Sequence, residues 1–262
     1  MKFKALLLAL AATCVSFTAS AYDGKEIRFG TEASYPPFES RTPSGELVGF
    51  DVDLGNAICA KLNVKCVWVE NAFDGMIPAL QAKKFDAINS SMGKNEKRMK
   101  VIDFTEKLYA PYEALVVKDG SKLQTTADSL KGKRIGALQG STTETYARKY
   151  WEASGVEVVT YQTADQVWAD LVTGRIDGAV VYGPQALYGF LDRPQGKGYG
   201  FATGPAIHDP SIFGVGVSIG VRKGDKALLD ALNSAIEGIR ADGTYDRIAK
   251  KYFKFDIYNG TP

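Results

Sequence analysis

In the first part of the chain, apolar runs typical of strands alternate with apolar residues at helical spacing. Short apolar runs that stop at small or polar residues predict buried strands over residues 26–30, 65–70 and 86–91. Between these runs Leu54 and Ile58 recur at helical spacing, and Asp51 or Asp53 is placed to cap that helix. A second helical pattern covers residues 73–84. Alternating strands and helices predict an α/β fold with a mainly parallel sheet.

The same alternation starts again in the second part of the chain. Its predicted strands are residues 113–118, 134–139, 157–161, 177–182 and 213–221. Its predicted helices are residues 126–130, a segment that carries Val167, Leu171 and Val172, and a tail over residues 225–253 that breaks near Gly243. The glycine-rich residues 196–204 are interpreted as a surface connection. The chain therefore contains two α/β units of similar size and a C-terminal remainder.

This order favours one lobe inserted into another, with a cleft between them. We expect lobe 1 to comprise residues 22–109 and 214–262, and lobe 2 to comprise residues 113–207. The chain would then cross between the lobes at residues 110–112 and 208–213. Ligands in such folds bind at the carboxyl ends of strands and at lobe interfaces.

The N-terminal segment has the pattern of an export signal. Lys2 and Lys4 precede an apolar run over residues 5–15, and small residues follow at 19–21, so residues 1–21 are interpreted as a signal peptide. The whole chain has 32 basic and 30 acidic residues, and removal of this segment brings the two numbers level. A near-neutral exported chain has no basic stripe that would bind nucleic acid or anionic lipid. We expect a periplasmic protein.

Two cysteines remain once Cys14 is removed with the signal peptide. They are Cys59 and Cys66, between a predicted helix and the next strand. An even number of cysteines in an exported chain indicates a disulfide. The alternative is two buried thiols, which an oxidising compartment disfavours.

The strand at residues 86–91 ends in chemistry suited to an anion. Ser90, Ser91 and the backbone near Gly93 offer hydrogen-bond donors, and Arg98 offers a planar fork that fits a carboxylate. The plainer alternative for Arg98 is a solvated side chain. Further along, Ser141 and Glu144 have the spacing of a capping box at the start of a helix.

The sequence argues against an enzyme that uses histidine. His208 is the single histidine and lies in a predicted crossing, so a Ser-His-Asp triad and a histidine-rich metal site are both excluded. No cofactor motif is present, because the glycines at residues 214–220 do not have dinucleotide-binding spacing. A receptor ectodomain stays open, although the lack of a following apolar span disfavours it.

Several stretches together resemble the periplasmic substrate-binding proteins of amino-acid ABC importers, including the lysine/arginine/ornithine-binding and histidine-binding members. The resemblance covers the whole mature chain. The stretches are residues 49–54, Cys59 with Cys66, residues 86–91, 138–142, 241–245 and 249–253. It implies a two-lobe type II fold, a small-molecule ligand such as an amino acid or a derivative, and an inner-membrane ABC permease as partner. It also implies a monomer without cofactor or catalysis, and a disulfide between the two cysteines. The enzyme alternative that stays open is a dehydratase of the cyclohexadienyl type, which shares this fold by resemblance and would use Glu32 as its acid.

The resemblance also implies the residues of a ligand pocket. Tyr35 and Phe73 match the aromatic pair that packs on the ligand side chain. Ser90, Ser91 and Arg98 match the group that holds the α-carboxylate. The second-lobe residues that match are Leu138 and Thr142, at a helix N-terminus that suits an anion.

Four positions depart from the family pocket. Glu32 stands where the lysine/arginine/ornithine binders have Asp, Gly93 replaces a Ser, and Thr143 replaces a Gln. Tyr182 stands where an Asp that binds the α-ammonium is expected. A buried ammonium without an anionic partner is costly, so an N-substituted arginine of the opine kind is one candidate ligand. The other is an ordinary cationic amino acid whose ammonium is bound by Glu32 or a carbonyl.

Overall fold

A computed structural model describes residues 24–260, so the signal peptide expected at residues 1–21 lies outside the described part of the chain. The protein has a two-lobe α/β fold, and each lobe contains a five-stranded sheet. Over the described range, no helix combines the length and the apolar character that a membrane span requires.

Thirteen strands and ten α-helices follow one another along the described chain. The strands are β1 (Glu26–Thr31), β2 (Ser34–Tyr35), β3 (Glu39–Arg41), β4 (Leu47–Val48), β5 (Lys65–Glu70), β6 (Ala87–Ile88), β7 (Ile102–Phe104), β8 (Glu113–Lys118), β9 (Arg134–Leu138), β10 (Glu157–Tyr161), β11 (Gly178–Tyr182), β12 (Tyr199–Phe201) and β13 (Gly220–Arg222). The helices are α1 (Phe50–Leu62), α2 (Met76–Gln81), α3 (Glu96–Met99), α4 (Ala127–Leu130), α5 (Thr142–Tyr150), α6 (Ala164–Val172), α7 (Gly183–Ala186), α8 (Pro210–Phe213), α9 (Lys226–Ala241) and α10 (Thr244–Tyr252).

The first sheet takes strands from both ends of the chain. Its order is β5-β1-β6-β13-β7, with β1 parallel to β5 and β6, and β13 antiparallel to its neighbours. The second sheet has the order β10-β9-β11-β8-β12 and uses only strands between residues 113 and 201. The chain therefore leaves the first sheet and returns to it. The exact lobe boundaries stay a prediction.

A small antiparallel sheet, β2-β3-β4, lies beside the first sheet. Two of its members point into the protein: Tyr35 and Glu39 are both buried. Gly49 follows this sheet with φ 140°, and a Cβ there would come within 2.1 Å of the Phe38 carbonyl oxygen. Only glycine permits this close approach, which sets the start of α1.

The core of the first lobe includes the C-terminal helices. Leu228, Leu232 and Ile236 on α9 are fully or almost fully buried, in one cluster with Leu54 and Ile58 of α1. Gly243 has a left-handed conformation at the break between α9 and α10, as the sequence predicts. Burial of side chains of this size contributes about 1.5–3 kcal/mol each.

The predicted disulfide is present between Cys59 and Cys66. It joins the last turns of α1 to the start of β5, with seven residues of sequence separation. A loop this short gives about 2.5 kcal/mol of stabilisation in the chain-entropy model.

Several predicted elements are shorter than expected or differ in kind. The helix expected over residues 73–84 is a 3₁₀ turn at Phe73–Gly75 followed by α2. The strand expected over residues 86–91 pairs only at β6, because residues 89–91 turn into the lobe interface. The strand expected over residues 213–221 is replaced by α8, two glycines with positive φ, and the short β13.

Other sequence-based expectations are wrong. The surface connection at residues 196–204 contains β12, which pairs with β8. Val172 is exposed, although its helix has the predicted inward face at Val167 and Leu171. Neither Asp51 nor Asp53 caps α1, whose N-cap is Gly49 without a side-chain bond.

Candidate ligand-binding site

A small cavity lies between the lobes. Its lining includes every site residue suggested by the sequence except Gly93. The lining residues are Glu32, Tyr35, Glu39, Phe73, Ser90, Ser91, Arg98, Leu138, Ser141, Thr142, Thr143 and Tyr182. Glu39 and Ser141 are the members that sequence reasoning missed.

Aromatic rings from both lobes meet at this cavity. The ring of Tyr35 meets the ring of Tyr182 edge to face, with centroids 6.3 Å apart. Phe73 lies below Arg98, whose guanidinium carbon is 5.5 Å from the ring centroid. All four side chains are at most 8% exposed. The cavity thus offers flat apolar walls together with one cation.

Arg98 is a buried cation that lacks an anionic partner in the protein. Its side chain donates to the carbonyl oxygens of Gly93 at 2.8 Å and Gly140 at 3.0 Å. Among the described residues no carboxylate lies within ion-pair distance of it. Asn95 caps α3 by accepting from the backbone N–H of Arg98 at 3.0 Å. This bond fixes the backbone position from which the Arg98 side chain extends. Burial lowers the pKa of the Arg98 guanidinium.

Glu32 is an acid that keeps one oxygen unused. Oε1 accepts from the Ser34 hydroxyl at 2.5 Å, whereas Oε2 is buried and has no partner within the described chain. Burial raises the pKa of Glu32 to about 7, against the opposing effect of the Ser34 hydrogen bonds. An unpartnered carboxylate oxygen in a cavity is an acceptor available to a ligand.

Two more buried carboxyl groups lie behind the serines. Ser90 Oγ lies 3.0 Å from Glu39 Oε1, and Ser91 Oγ lies 3.3 Å from Glu39 Oε2. Asp51 Oδ2 accepts from the Ser91 N–H at 2.7 Å, and the Tyr109 hydroxyl lies 3.0 Å from Ser91 Oγ. Burial raises the pKa of Glu39 well above its usual range and that of Asp51 to about 6.

The second lobe presents the N-terminus of α5 to the cavity. Ser141 caps this helix by accepting from the Glu144 N–H at 3.0 Å, and Thr142 and Thr143 form its buried first turn. The expected capping box is incomplete, because Glu144 Oε2 accepts from the Gly140 N–H at 2.6 Å instead of that of Ser141. The complete capping box in this lobe, at Thr163 with Gln166, is one the sequence reading missed.

Tyr182 occupies the position where the resemblance led us to expect an acid. Its hydroxyl lies 3.4 Å from Thr142 Oγ1, and a Cβ added to Gly93 would lie 3.3 Å from the same hydroxyl. Gly93 touches the site through its carbonyl oxygen, which Arg98 binds. The Tyr182 hydroxyl therefore lies against the space that a side chain at position 93 would occupy.

Hydrogen bonds join the two lobes across the cavity. Arg98 of the first lobe donates to the Gly140 carbonyl oxygen, and Gln139 of the second lobe donates to Asp74 Oδ2 at 2.9 Å. The cavity is therefore closed in this conformation. His208 lies outside it on the surface, and among residues 24–260 no group of His, Cys, Asp and Glu side chains has the arrangement of a metal site.

Glu39 was missed because its strand was missed. The short β3 does not show a run of apolar residues, and an acid that follows a Pro-Pro-Phe turn is typical of a solvated loop. Ser141 was recognised as a cap, but its second role as a wall of the cavity depends on how closely the lobes approach.

Comparison with known proteins identifies relatives over nearly the whole chain. The model of the bacterial extracellular solute-binding proteins, family 3, matches residues 27–255. The histidine-binding periplasmic protein of Salmonella typhimurium is 50% identical over 261 residues, covering 99% of this chain and 100% of the relative. The lysine/arginine/ornithine-binding periplasmic protein of Escherichia coli is 47% identical over 246 residues, covering 93% and 94%.

Solved structures agree with the fold. An ancestral arginine-binding protein bound to arginine superposes with a TM-score of 0.81 at 36% identity. The superposition covers 88% of this chain and 99% of the ancestral protein.

Proposed function

Because the chain belongs to the bacterial extracellular solute-binding proteins of family 3, we propose that it binds a cationic amino acid or an arginine derivative in the periplasm. It delivers this ligand to an inner-membrane ABC permease. The ligand carries a carboxylate that pairs with Arg98 and a cationic side chain that pairs with Glu32.

The observation that carries this proposal is the pair of opposite, unpaired charges in one closed cavity. Arg98 lacks an ion-pair partner among the described residues, and Glu32 Oε2 lacks a hydrogen-bond donor there. Buried charges are costly unless they are paired, so each of these groups gains from a ligand of the opposite charge. Tyr35 and Phe73 add flat apolar walls that suit a methylene stem and a guanidinium.

The relatives support the same ligand class. Their names include histidine, lysine, arginine and ornithine as ligands. All of these compounds have an α-carboxylate, and each has a side chain that is cationic or can become so. We extend this ligand class, and the partnership with a permease, from the relatives to this chain.

Isothermal titration calorimetry of the mature protein tests the proposal. We expect saturable binding of L-arginine, L-lysine, L-ornithine or L-histidine, and no comparable binding of L-leucine or L-glutamate. L-Leucine keeps the carboxylate but lacks the side-chain cation, so it controls for the Glu32 contact. Equal affinity for L-leucine and for the best cationic amino acid would contradict the proposal.

A second candidate ligand is an arginine derivative without a free α-ammonium. The observation in its favour is the lack of a carboxylate at Tyr182, whose hydroxyl faces Thr142 and the side-chain position of Gly93. The filled space beside Gly93 limits the size of a substituent there. Competition between L-arginine and octopine-type N-substituted arginines separates the two candidates.

Binding without chemistry is part of the proposal. A dehydratase on this fold would need a cleft acid, and Glu32 with its raised pKa is the residue available for that role. Recovery of the unchanged ligand after prolonged incubation with the protein supports a binding protein. Conversion of the bound compound would support the enzyme.

A further inference from the structure

The hydroxyl hydrogen of Ser90 cannot point at a ligand while Glu39 is ionised. A hydroxyl has one hydrogen to donate and two lone pairs to accept with. Ser90 Oγ accepts from the Glu32 N–H at 2.9 Å and lies 3.0 Å from Glu39 Oε1. When Glu39 is ionised, the single hydrogen of Ser90 is held by Glu39, and only a lone pair remains for the cavity.

An ionised Glu39 therefore gives the cavity an acceptor where a ligand carboxylate needs a donor. Two acceptors in contact repel, and the cost is large because the site is buried. When Glu39 is protonated, its own hydrogen can be donated to Ser90 Oγ. The Ser90 hydrogen is then released and can turn toward the ligand carboxylate, with both lone pairs of Ser90 occupied.

The surroundings of Glu39 favour uptake of a proton. Glu39 and Asp51 are 1% and 0% exposed, and no lysine or arginine of the described residues forms an ion pair with either. The other titratable groups that face them are Glu32, Tyr35, Tyr109 and Tyr182, none of which brings a positive charge. Arg98 is the cation of the same cavity and forms an ion pair with neither carboxyl group. Two carboxyl groups that share a buried site do not both ionise readily.

We propose that Glu39 sets the hydrogen-bond direction of Ser90, and that binding of a ligand carboxylate takes up one proton at the Glu39–Asp51 pair, which is ionised at about pH 8.5 in the open, solvated protein and protonated in the closed cavity. This inference rests on the proposed function, because it requires a carboxylate beside Ser90 and Arg98. It makes Glu39 a positioning residue that acts through Ser90. The affinity for the ligand then falls as the pH rises above the range in which the pair is protonated.

Glu32 makes the affinity for the ligand depend on pH in the opposite direction. Its contribution therefore has to be separated from that of Glu39. A cationic side chain favours ionised Glu32, so binding releases its proton below the pKa of about 7. Above that value Glu32 is already ionised and contributes little. A measurement at about pH 8.5 therefore reports mainly on the Glu39–Asp51 pair.

The test is calorimetric titration of L-arginine into the wild type, Glu39→Gln and Glu46→Gln at about pH 8.5, in two buffers with different ionisation enthalpies. The difference between the buffers gives the number of protons taken up. We expect the wild type and Glu46→Gln, an exposed acid on the same hairpin, to take up equal numbers. We expect Glu39→Gln to take up fewer protons than the wild type, with a difference that approaches one. Its affinity should also fall less steeply as the pH rises, by a factor of up to ten per pH unit.

Each outcome has a defined meaning. Equal proton numbers in the wild type and Glu39→Gln, or a larger number in Glu39→Gln, would overturn the inference while the proposed function stands. Absence of L-arginine binding to the wild type would count against the proposed function and this inference together. If Glu39→Gln does not fold, the infrared difference spectrum of the wild type decides: a protonated carboxyl band must appear when L-arginine is added.

Discussion

The hydroxyl of Tyr182 fills the space beside Gly93. A Cβ at position 93 would lie 3.3 Å from that hydroxyl, 3.5 Å from Arg98 Nη1 and 3.5 Å from the Phe213 carbonyl oxygen. The departures at Gly93 and Tyr182 are therefore neighbours in space, since a side chain at position 93 would crowd the tyrosine hydroxyl. This relationship predicts that the two positions are coupled in mutation experiments.

The first prediction is a double-mutant cycle at these two positions. We expect Gly93→Ser to weaken L-arginine binding by at least about tenfold in the wild type and by clearly less in the Tyr182→Asp background, where the clash is removed. Tyr182→Asp alone should move preference from octopine-type arginines toward free L-arginine, because it supplies an anion for the α-ammonium. Additive effects in competition titrations, with an unchanged ligand ranking, would contradict the coupling.

The second prediction concerns Arg98. Hydrogen bonds to charged groups contribute about 1.5–3 kcal/mol, so Arg98→Ala should weaken binding of L-arginine by at least about tenfold. Arg175→Ala is the control, since Arg175 pairs with Asp170 at the surface with its side chain 69% exposed. Calorimetry compares the two variants, and equal affinities would rule out the carboxylate contact.

The third prediction concerns the stability of the unliganded protein. The folded pKa of Glu32 is about 7 against an ordinary value of 4.5, so folded Glu32 holds its proton more tightly and stability falls as the pH rises between these values. In the closed conformation this loss amounts to about 3 kcal/mol above the upper value. Opening of the lobes reduces the loss because water then solvates Glu32, and Glu32→Gln removes it. Its free energy of unfolding should exceed that of the wild type at about pH 8 and match it near about pH 4.

The same variant should lose affinity for cationic ligands. Glu46→Gln, on an exposed residue, is expected to change neither stability nor affinity. Urea denaturation at the two pH values and one titration with L-arginine check both parts. A Glu32→Gln protein that is less stable than the wild type at the higher pH would show that Glu32 is structural.

The fourth prediction concerns movement of the lobes. The bonds from Arg98 to Gly140 and from Gln139 to Asp74 join the lobes in the closed conformation. Without ligand, the buried charges at the cavity favour an open state in which water solvates them. The radius of gyration from small-angle X-ray scattering should fall when L-arginine is added, and superimposable scattering curves would argue against closure.

The sequence was sufficient for those parts of the protein that depend on regular patterns. The strands β5 and β10 have their predicted bounds, and the break at Gly243 and the Cys59–Cys66 disulfide are where they were expected. These features depend on apolar periodicity, on a residue that tolerates positive φ, and on cysteine number.

The sequence failed where distant segments decide the local structure. Residues 213–221 contain enough β-branched and aromatic side chains for a strand, but Gly214 and Gly216 have positive φ, and a Cβ on either would meet the backbone carbonyl oxygen of Lys94 or Tyr109. Asp51 was one of two candidates for a helix cap, whereas the tertiary fold turns it toward the Ser91 N–H. Such contacts are invisible to a reading of neighbouring residues.

The place of β13 between β6 and β7 has a consequence for the order in which the chain can be completed. All strands of the second sheet have been synthesised by residue 201. In the first sheet, β13 lies between β6 and β7 and is complete only at residue 222. During synthesis and export the middle of the chain should therefore become resistant to protease before either end. A chain that stops at residue 213 should leave a protected fragment around residues 113–201 in limited proteolysis, and complete digestion would show that the two sheets fold only together.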